Sequence, residues 1–95
     1  MPGLFLLKSL PPSSAVVGTQ PAVILDEGQR MGLVIVNLSD NIVSLSFGPN
    51  DPVLYAGVTL YPRGTFSFDE YMFGKEQVRA IASGEGSVLA IQEWI

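Results

Sequence analysis

Residues 30–48 read Arg-Met-Gly-Leu-Val-Ile-Val-Asn-Leu-Ser-Asp-Asn-Ile-Val-Ser-Leu-Ser-Phe-Gly, and the fold class turns on how this stretch is read. Two β-rich runs, 33–38 and 42–47, flank Ser39-Asp40-Asn41. The trio favours a tight turn, because short polar side chains hydrogen-bond the nearby backbone and tolerate left-handed geometry. The pattern predicts a β-hairpin. In the second run Val43, Leu45 and Phe47 fall on one face and Ile42, Ser44 and Ser46 on the other, as expected of a strand with one side in water. In the first run both sides are apolar, Leu33 and Ile35 on one, Val34, Val36 and Leu38 on the other. Such a strand is covered twice, and in a small domain the second cover is either another sheet of the same chain or a neighbouring subunit.

Outward from this stretch, the totals narrow the field. A chain of 95 residues makes one domain that buries only about 60–70% of its unfolded surface. Yet 47% of its residues are hydrophobic and 15% are charged, an imbalance that predicts burial of apolar surface by association. The absence of cysteine excludes a disulfide framework and a thiolate metal site, and the absence of histidine removes the commonest general base and metal ligand. A net charge of −4 argues against nucleic acid as a partner, since that affinity comes chiefly from Lys and Arg neutralising phosphates. At the N-terminus the apolar core 4–7 is too short, and wrongly flanked, for an export signal or a membrane span.

Residues 1–14 hold Pro2, Pro11 and Pro12 around Leu4, Phe5, Leu6, Leu7 and Leu10. The prolines keep the segment extended, and the apolar side chains call for a cover. It is read as an arm, either an edge strand on its own domain (15–95) or a strap laid on a neighbour. Residues 15–25 form two short strands, or one broken at 18–21, with Pro21 marking an edge or bend. After Gly48, Pro49 and Pro52 prevent a ladder, and Val53, Leu54 and Tyr55 fall on a candidate contact loop. A second hairpin is expected from Val58 and Leu60 to Phe66 and Phe68 around Pro62-Arg63-Gly64. A third is expected from 78–82 to 87–95 around Ser83-Gly84-Glu85-Gly86, ending on Trp94-Ile95 pinned in a sheet or interface. The count, seven or eight short strands at intervals of about ten residues, is that of an all-β antiparallel sandwich of jelly-roll-like form.

Chemistry is hard to place on this framework. Without histidine or cysteine, only Lys8 or Lys75 is left to activate a nucleophile, and neither sits in a motif. Asp69 and Glu70 are adjacent, so on a strand their carboxyls point apart. Asp40, Asn41, Asn50 and Asp51 carry oxygens suited to calcium, but their spacing fits turn formation better than a calcium loop. Gly84 and Gly86 lie between strands and open no phosphate-cradling helix. No catalytic residue, cofactor or metal site is expected, and the chain is read as non-enzymatic. Arg30 is read as a solvated strand-entry residue in preference to a buried or interfacial ion pair, and Asn37 as a structural hydrogen-bonding group serving the adjoining turn.

A resemblance rests on Ile24-Leu25, Arg30, 32–39 (Gly-Leu-Val-Ile-Val-Asn-Leu-Ser), Phe47-Gly48, 57–60 (Gly-Val-Thr-Leu), 78–82 (Val-Arg-Ala-Ile-Ala) and 89–93 (Leu-Ala-Ile-Gln-Glu). Their order resembles that of small all-β virion proteins of tailed bacteriophages, over residues 22–93. The resemblance implies a capsid decoration or cement protein, present as a homo-oligomer with a trimer favoured. Its partner would be the major capsid protein and its place the capsid surface, after synthesis in the host cytoplasm. It supplies no catalytic residues, and the arm is not part of it. Capsid contact is assigned to Leu4, Phe5, Leu6, Leu7 and Leu10, with Val53, Leu54 and Tyr55 as a second patch. Subunit contact is assigned to Val34, Val36 and Trp94. The alternative is a tail or fibre module recognising a host glycan, with Tyr55, Tyr61, Tyr71 and Trp94 stacking on sugar rings, or another virion protein.

Overall fold

Alternating side chains in eight short segments give each strand one apolar edge, and the chain buries those edges by closing two sheets on each other. The computed structural model describes residues 8–68 and 76–95. Its strands are β1 (Ser13–Val17), β2 (Ala22–Leu25), β3 (Gly32–Asn37), β4 (Val43–Phe47), β5 (Val58–Leu60), β6 (Thr65–Phe68), β7 (Val78–Ala82) and β8 (Ser87–Trp94), and among the described residues there is no helix. One sheet has the order β1-β8-β3-β6 and the other β2-β7-β4-β5, with every pairing antiparallel. That is the jelly-roll arrangement of eight strands in two sheets.

The inward residues are those the alternation selects. Leu33, Ile35, Leu89 and Ile91 from the first sheet meet Val43, Leu45, Val78 and Ala80 from the second, all buried. Phe47 and Phe66 bridge the sheets with ring centroids 5.3 Å apart, and Phe66 contacts Phe68 edge-on at 5.8 Å.

The topology corrects all three expected hairpins. β3 and β4 lie in different sheets, as do β5 and β6, and β7 and β8, so each of those tight turns carries the chain across the sandwich. The one pair of consecutive strands that are sheet neighbours is β4 and β5, joined by the proline-bearing segment 48–57. Residues 15–25 likewise divide between sheets, with β1 and β2 each at an edge.

Asn37 explains how the crossings are held. Fully buried at the end of β3, its amide donates to the carbonyls of Asn41 (2.7 Å) and Leu60 (3.1 Å), and its oxygen accepts from the Ser39 backbone N–H (3.0 Å) and hydroxyl (2.7 Å). This ties the 38–42 crossing to the chain leaving β5. Asn41 donates in turn to Ser87 Oγ (2.9 Å) at the start of β8, joining the third crossing to the other two. The expected structural role of Asn37 is thus seen in full.

Candidate functional site

Neither sheet is bounded by its core face, and the two outer faces differ in chemistry. On the β1-β8-β3-β6 sheet the register sets Val34 beside Gln92, Val36 beside Ala90, and Val16 beside Val88. With Ser14, Thr65, Ser67 and Trp94, every outward strand residue on this face is uncharged. A depression of about 190 Å³ runs across it, floored by Val34, Val36 and Ala90 and walled by Pro12, Ser13 and Gln92. On the same face the Trp94 ring lies over Gly32, where an added Cβ would come within 3.3 Å of the ring, a tight contact that glycine avoids. The three residues assigned to subunit contact, Val34, Val36 and Trp94, therefore share one face, each half-buried.

The outer face of the β2-β7-β4-β5 sheet is covered over β4, where its outward residues are polar, while Val23 on β2 stays exposed. The alternation places Ser44 in water; it is instead fully buried, because the β4–β5 segment folds back over it. Its hydroxyl accepts the Tyr55 backbone N–H at 2.8 Å and bonds the Thr59 hydroxyl at 2.9 Å. Ser46 Oγ donates to the Asn50 carbonyl (2.8 Å), and Arg79 Nη1 pairs with Asp51 Oδ1 (2.7 Å). Thus braced, the loop presents Val53 and Tyr55, 65% and 62% exposed, with Leu54 half-buried between them. These are the three residues of the second patch named from the sequence.

The expected arm is described only from Lys8 onward. Leu4, Phe5, Leu6 and Leu7 lie outside the described residues. Lys8 and Ile95 exchange backbone hydrogen bonds (2.9 and 2.8 Å), and Leu10 N–H donates to the Glu93 carbonyl (3.0 Å), so residues 8–10 pair with the end of β8 in the same chain. Pro11 and Pro12 then interrupt this ladder before β1 begins at Ser13, inside the segment read as arm. Leu10 is half-buried and lines a cavity of about 390 Å³ with Ile24, Leu25 and Ile95. This also places the apolar C-terminus, as expected, against a strand partner.

Arg30 takes the less favoured of its two readings, the buried ion pair. It is 4% exposed, its Nε bonds Glu93 Oε2 at 2.8 Å, and its Nη groups donate to the carbonyls of Glu76 (2.8 Å) and Asp26 (2.5 Å). A buried guanidinium needs such compensation, and here it fastens the turn before β3 to the last strand. Arginine is usually exposed, and its partner lies 63 positions away, so no local signal marked it.

The glycan-stacking set is not assembled among the described residues. Tyr55 stands over one sheet, Trp94 lies on the other, and Tyr61 follows β5 at the crossing end, while Tyr71 lies outside the described residues. Asp40 and Asn41 precede β4 and Asn50 and Asp51 follow it, so that set is split between the two ends of one strand. No group of three or more His, Cys, Asp or Glu side chains that could hold a metal occurs among the described residues. Asp69, Glu70 and Lys75 lie outside them.

At the exposed crossing end, the hydroxyl and backbone N–H of Thr19 both donate to Glu85, which holds its carboxyl below the usual carboxylate range.

No protein-family model matches the sequence, and no curated protein matches it. Among solved structures, a chain from work described as "Bacillus endospore appendages form a novel family of disulfide-linked pili" is similar with a TM-score of 0.47 and 8% identity, covering 95% of this chain and 91% of that one. A likeness of that size bears on neither activity nor partners.

Proposed function

We propose that the protein is a non-enzymatic virion structural protein of the capsid-decoration or cement kind, which self-associates and binds the outer surface of a shell built from a major capsid protein. The observation that carries this reading is the outer face of the β1-β8-β3-β6 sheet, which has no charged strand residue and turns Val16, Val34, Val36, Val88, Ala90 and Trp94 outward beside four uncharged polar residues. On a chain with net charge −4, such a face favours a protein surface over a polyanion or bulk water. The resemblance over residues 22–93 supports the shell as destination, and the lack of histidine and cysteine supports a role without catalysis. Each contact is modest, and copies arrayed on a symmetric lattice add them through multivalency, which stiffens the particle against pressure from within.

Shell contact falls to Leu4, Phe5, Leu6 and Leu7, with Leu10 anchoring that segment to β8. Deleting residues 1–7 removes no described strand and should reduce retention on purified undecorated capsids at least tenfold in a co-sedimentation titration. Unchanged retention removes the arm from the mechanism. Failure of the full-length protein to bind such capsids, with binding on a glycan array instead, replaces the shell with a sugar.

A further inference from the structure

A sheet edge specifies its own partner, because each outward N–H and C=O there is completed by a strand laid alongside. The edge strands of the two sheets are β1, β6, β2 and β5. β2 slips its register between Val23 and Leu25, and β5 and β6 are only three and four residues long, features that blunt an edge. β1 is the longest and the most regular: its five residues pair with β8 without a shift, and none is charged.

The direction of its backbone groups is fixed by β8. Leu38 and Met31 donate to the carbonyls of Val88 (3.0 Å) and Trp94 (2.7 Å), so the even-numbered residues of β8 turn their backbone groups to β3. Its odd-numbered residues turn theirs the other way, where the Leu10 N–H meets the Glu93 carbonyl (3.0 Å). Ser13, Ala15 and Val17 stand opposite the odd residues Ile91, Leu89 and Ser87. Ser14 and Val16 therefore aim their N–H and C=O groups at the open edge, where nothing among the described residues bonds them. The edge stops at both ends: Pro12 has no N–H, and the Gly18 carbonyl accepts from the Ala82 N–H (2.8 Å).

We infer that two copies pair through β1, antiparallel and about a two-fold axis at Ala15. In that register Ser14 of each copy stands opposite Val16 of the other, and their backbones exchange four hydrogen bonds, which uses every outward group of the edge. This singles out a second copy as the occupant. Two donors and two acceptors placed evenly about Ala15 are complementary to themselves, whereas a longer foreign strand finds no further donor at Pro12 and no free acceptor at Gly18. The side chains agree. Ala15 meets Ala15 in the close, non-hydrogen-bonded pair, where small residues fit, and Val16, 66% exposed in the single chain, comes to lie beside Ser14 of the other copy. Chains of net charge −4 thus meet along strands that carry no charge.

The pair fuses two four-stranded sheets into one of eight strands and sets their uncharged outer faces side by side. Five residues a side bury less than the roughly 800 Å² per partner of a standard interface, so the dimer is weak and grows with concentration. The inference rests on the self-association in the proposed function and not on its shell, and it supplies a contact separate from Val34, Val36 and Trp94.

The test uses the full chain in size-exclusion chromatography with light scattering across a concentration series. Ser14→Pro removes an N–H that the single chain does not use, at an edge position where proline is tolerated, and should weaken dimerisation about tenfold or more. Ser14→Ala keeps the N–H and should dimerise like the wild type. The chain has no cysteine, so single thiols report the register. Ala15→Cys places two Cα atoms about 4.5 Å apart and should cross-link on mild oxidation, while Ser13→Cys places them roughly 14 Å apart and should not. If Ser14→Pro fails to fold by circular dichroism, this thiol pair decides: cross-linking no faster at 15 than at 13 overturns the pairing. A wild-type dimer that a folded Ser14→Pro leaves intact also overturns it and retains self-association through another surface. A wild type that stays monomeric removes pairing and self-association together; if Ser14→Pro then loses retention on capsids, the edge belongs to a strand of the shell.

Discussion

On one side of the sandwich Ser44, Ser46 and Arg79 turn outward and each is engaged by the chain's own β4–β5 loop; on the other, Val34, Val36 and Ala90 turn outward with no hydrogen-bonding group to offer. Both faces arise from the same period-two alternation, and both were open to the same reading, polar toward water and apolar toward a cover. The difference teaches that the polarity of an outward row tells what kind of cover it suits, not whether the cover comes from the same molecule. Ser44 is dry because a loop whose backbone needs acceptors found one in its hydroxyl. The valines carry nothing that a loop backbone can bond, and they suit another apolar surface.

The comparison is tested most severely on β3, whose neighbouring residues serve the two environments. Ile35→Ala, inside the core, should lower stability by about 2–5 kcal/mol, or about 4–8 °C in melting temperature per kcal/mol for a domain of this size. Val36→Thr, one residue along on the bare face, should cost under about 1 kcal/mol while weakening self-association. Similar losses for both in thermal melts would mean that the face is already covered within the monomer. A smaller effect is expected on the covered side: Ser44→Ala leaves the Tyr55 N–H without its acceptor and should cost about 1–3 kcal/mol, with faster proteolytic cutting within 48–57. If chemical denaturation shows no loss, the loop is not held by that hydroxyl. The smallest effect is away from both faces. Glu85 has a native pKa below its ordinary 4.5, so its contribution is present above that value and lost as pH falls through the lower native one. Glu85→Gln should flatten the acid limb of the stability profile slightly, and an unchanged limb would show that the Thr19 contact is too exposed to register.

Much of the architecture could be read in advance. Val43, Leu45 and Phe47, Val58 and Leu60, and Phe66 and Phe68 face inward as their alternation implies, and the turn chemistry at 39–41, 62–64 and 83–86 falls where the chain reverses. The pairing did not follow from it. A turn residue specifies a reversal, and a reversal within a sheet looks locally like one between sheets, so three crossings passed as three hairpins. The candidate site was legible in the same partial way: Val34, Val36 and Trp94 share a face, and Val53 to Tyr55 share a crest, but their position on opposite sides of the sandwich depends on the sheet order.

By itself, the chain's composition and alternation determined that it folds into short antiparallel strands with these residues inside and with apolar surface left over. The tertiary structure alone decided which strands are neighbours, that Arg30 is sheltered by Glu93, and that the serines of β4 are covered by the chain's own loop while the valines of β3 are not. The reason is range. β3 finds both its neighbours later in the chain, β6 beyond two intervening strands and β8 beyond four, and contacts at such separations are set by how two whole sheets fit together.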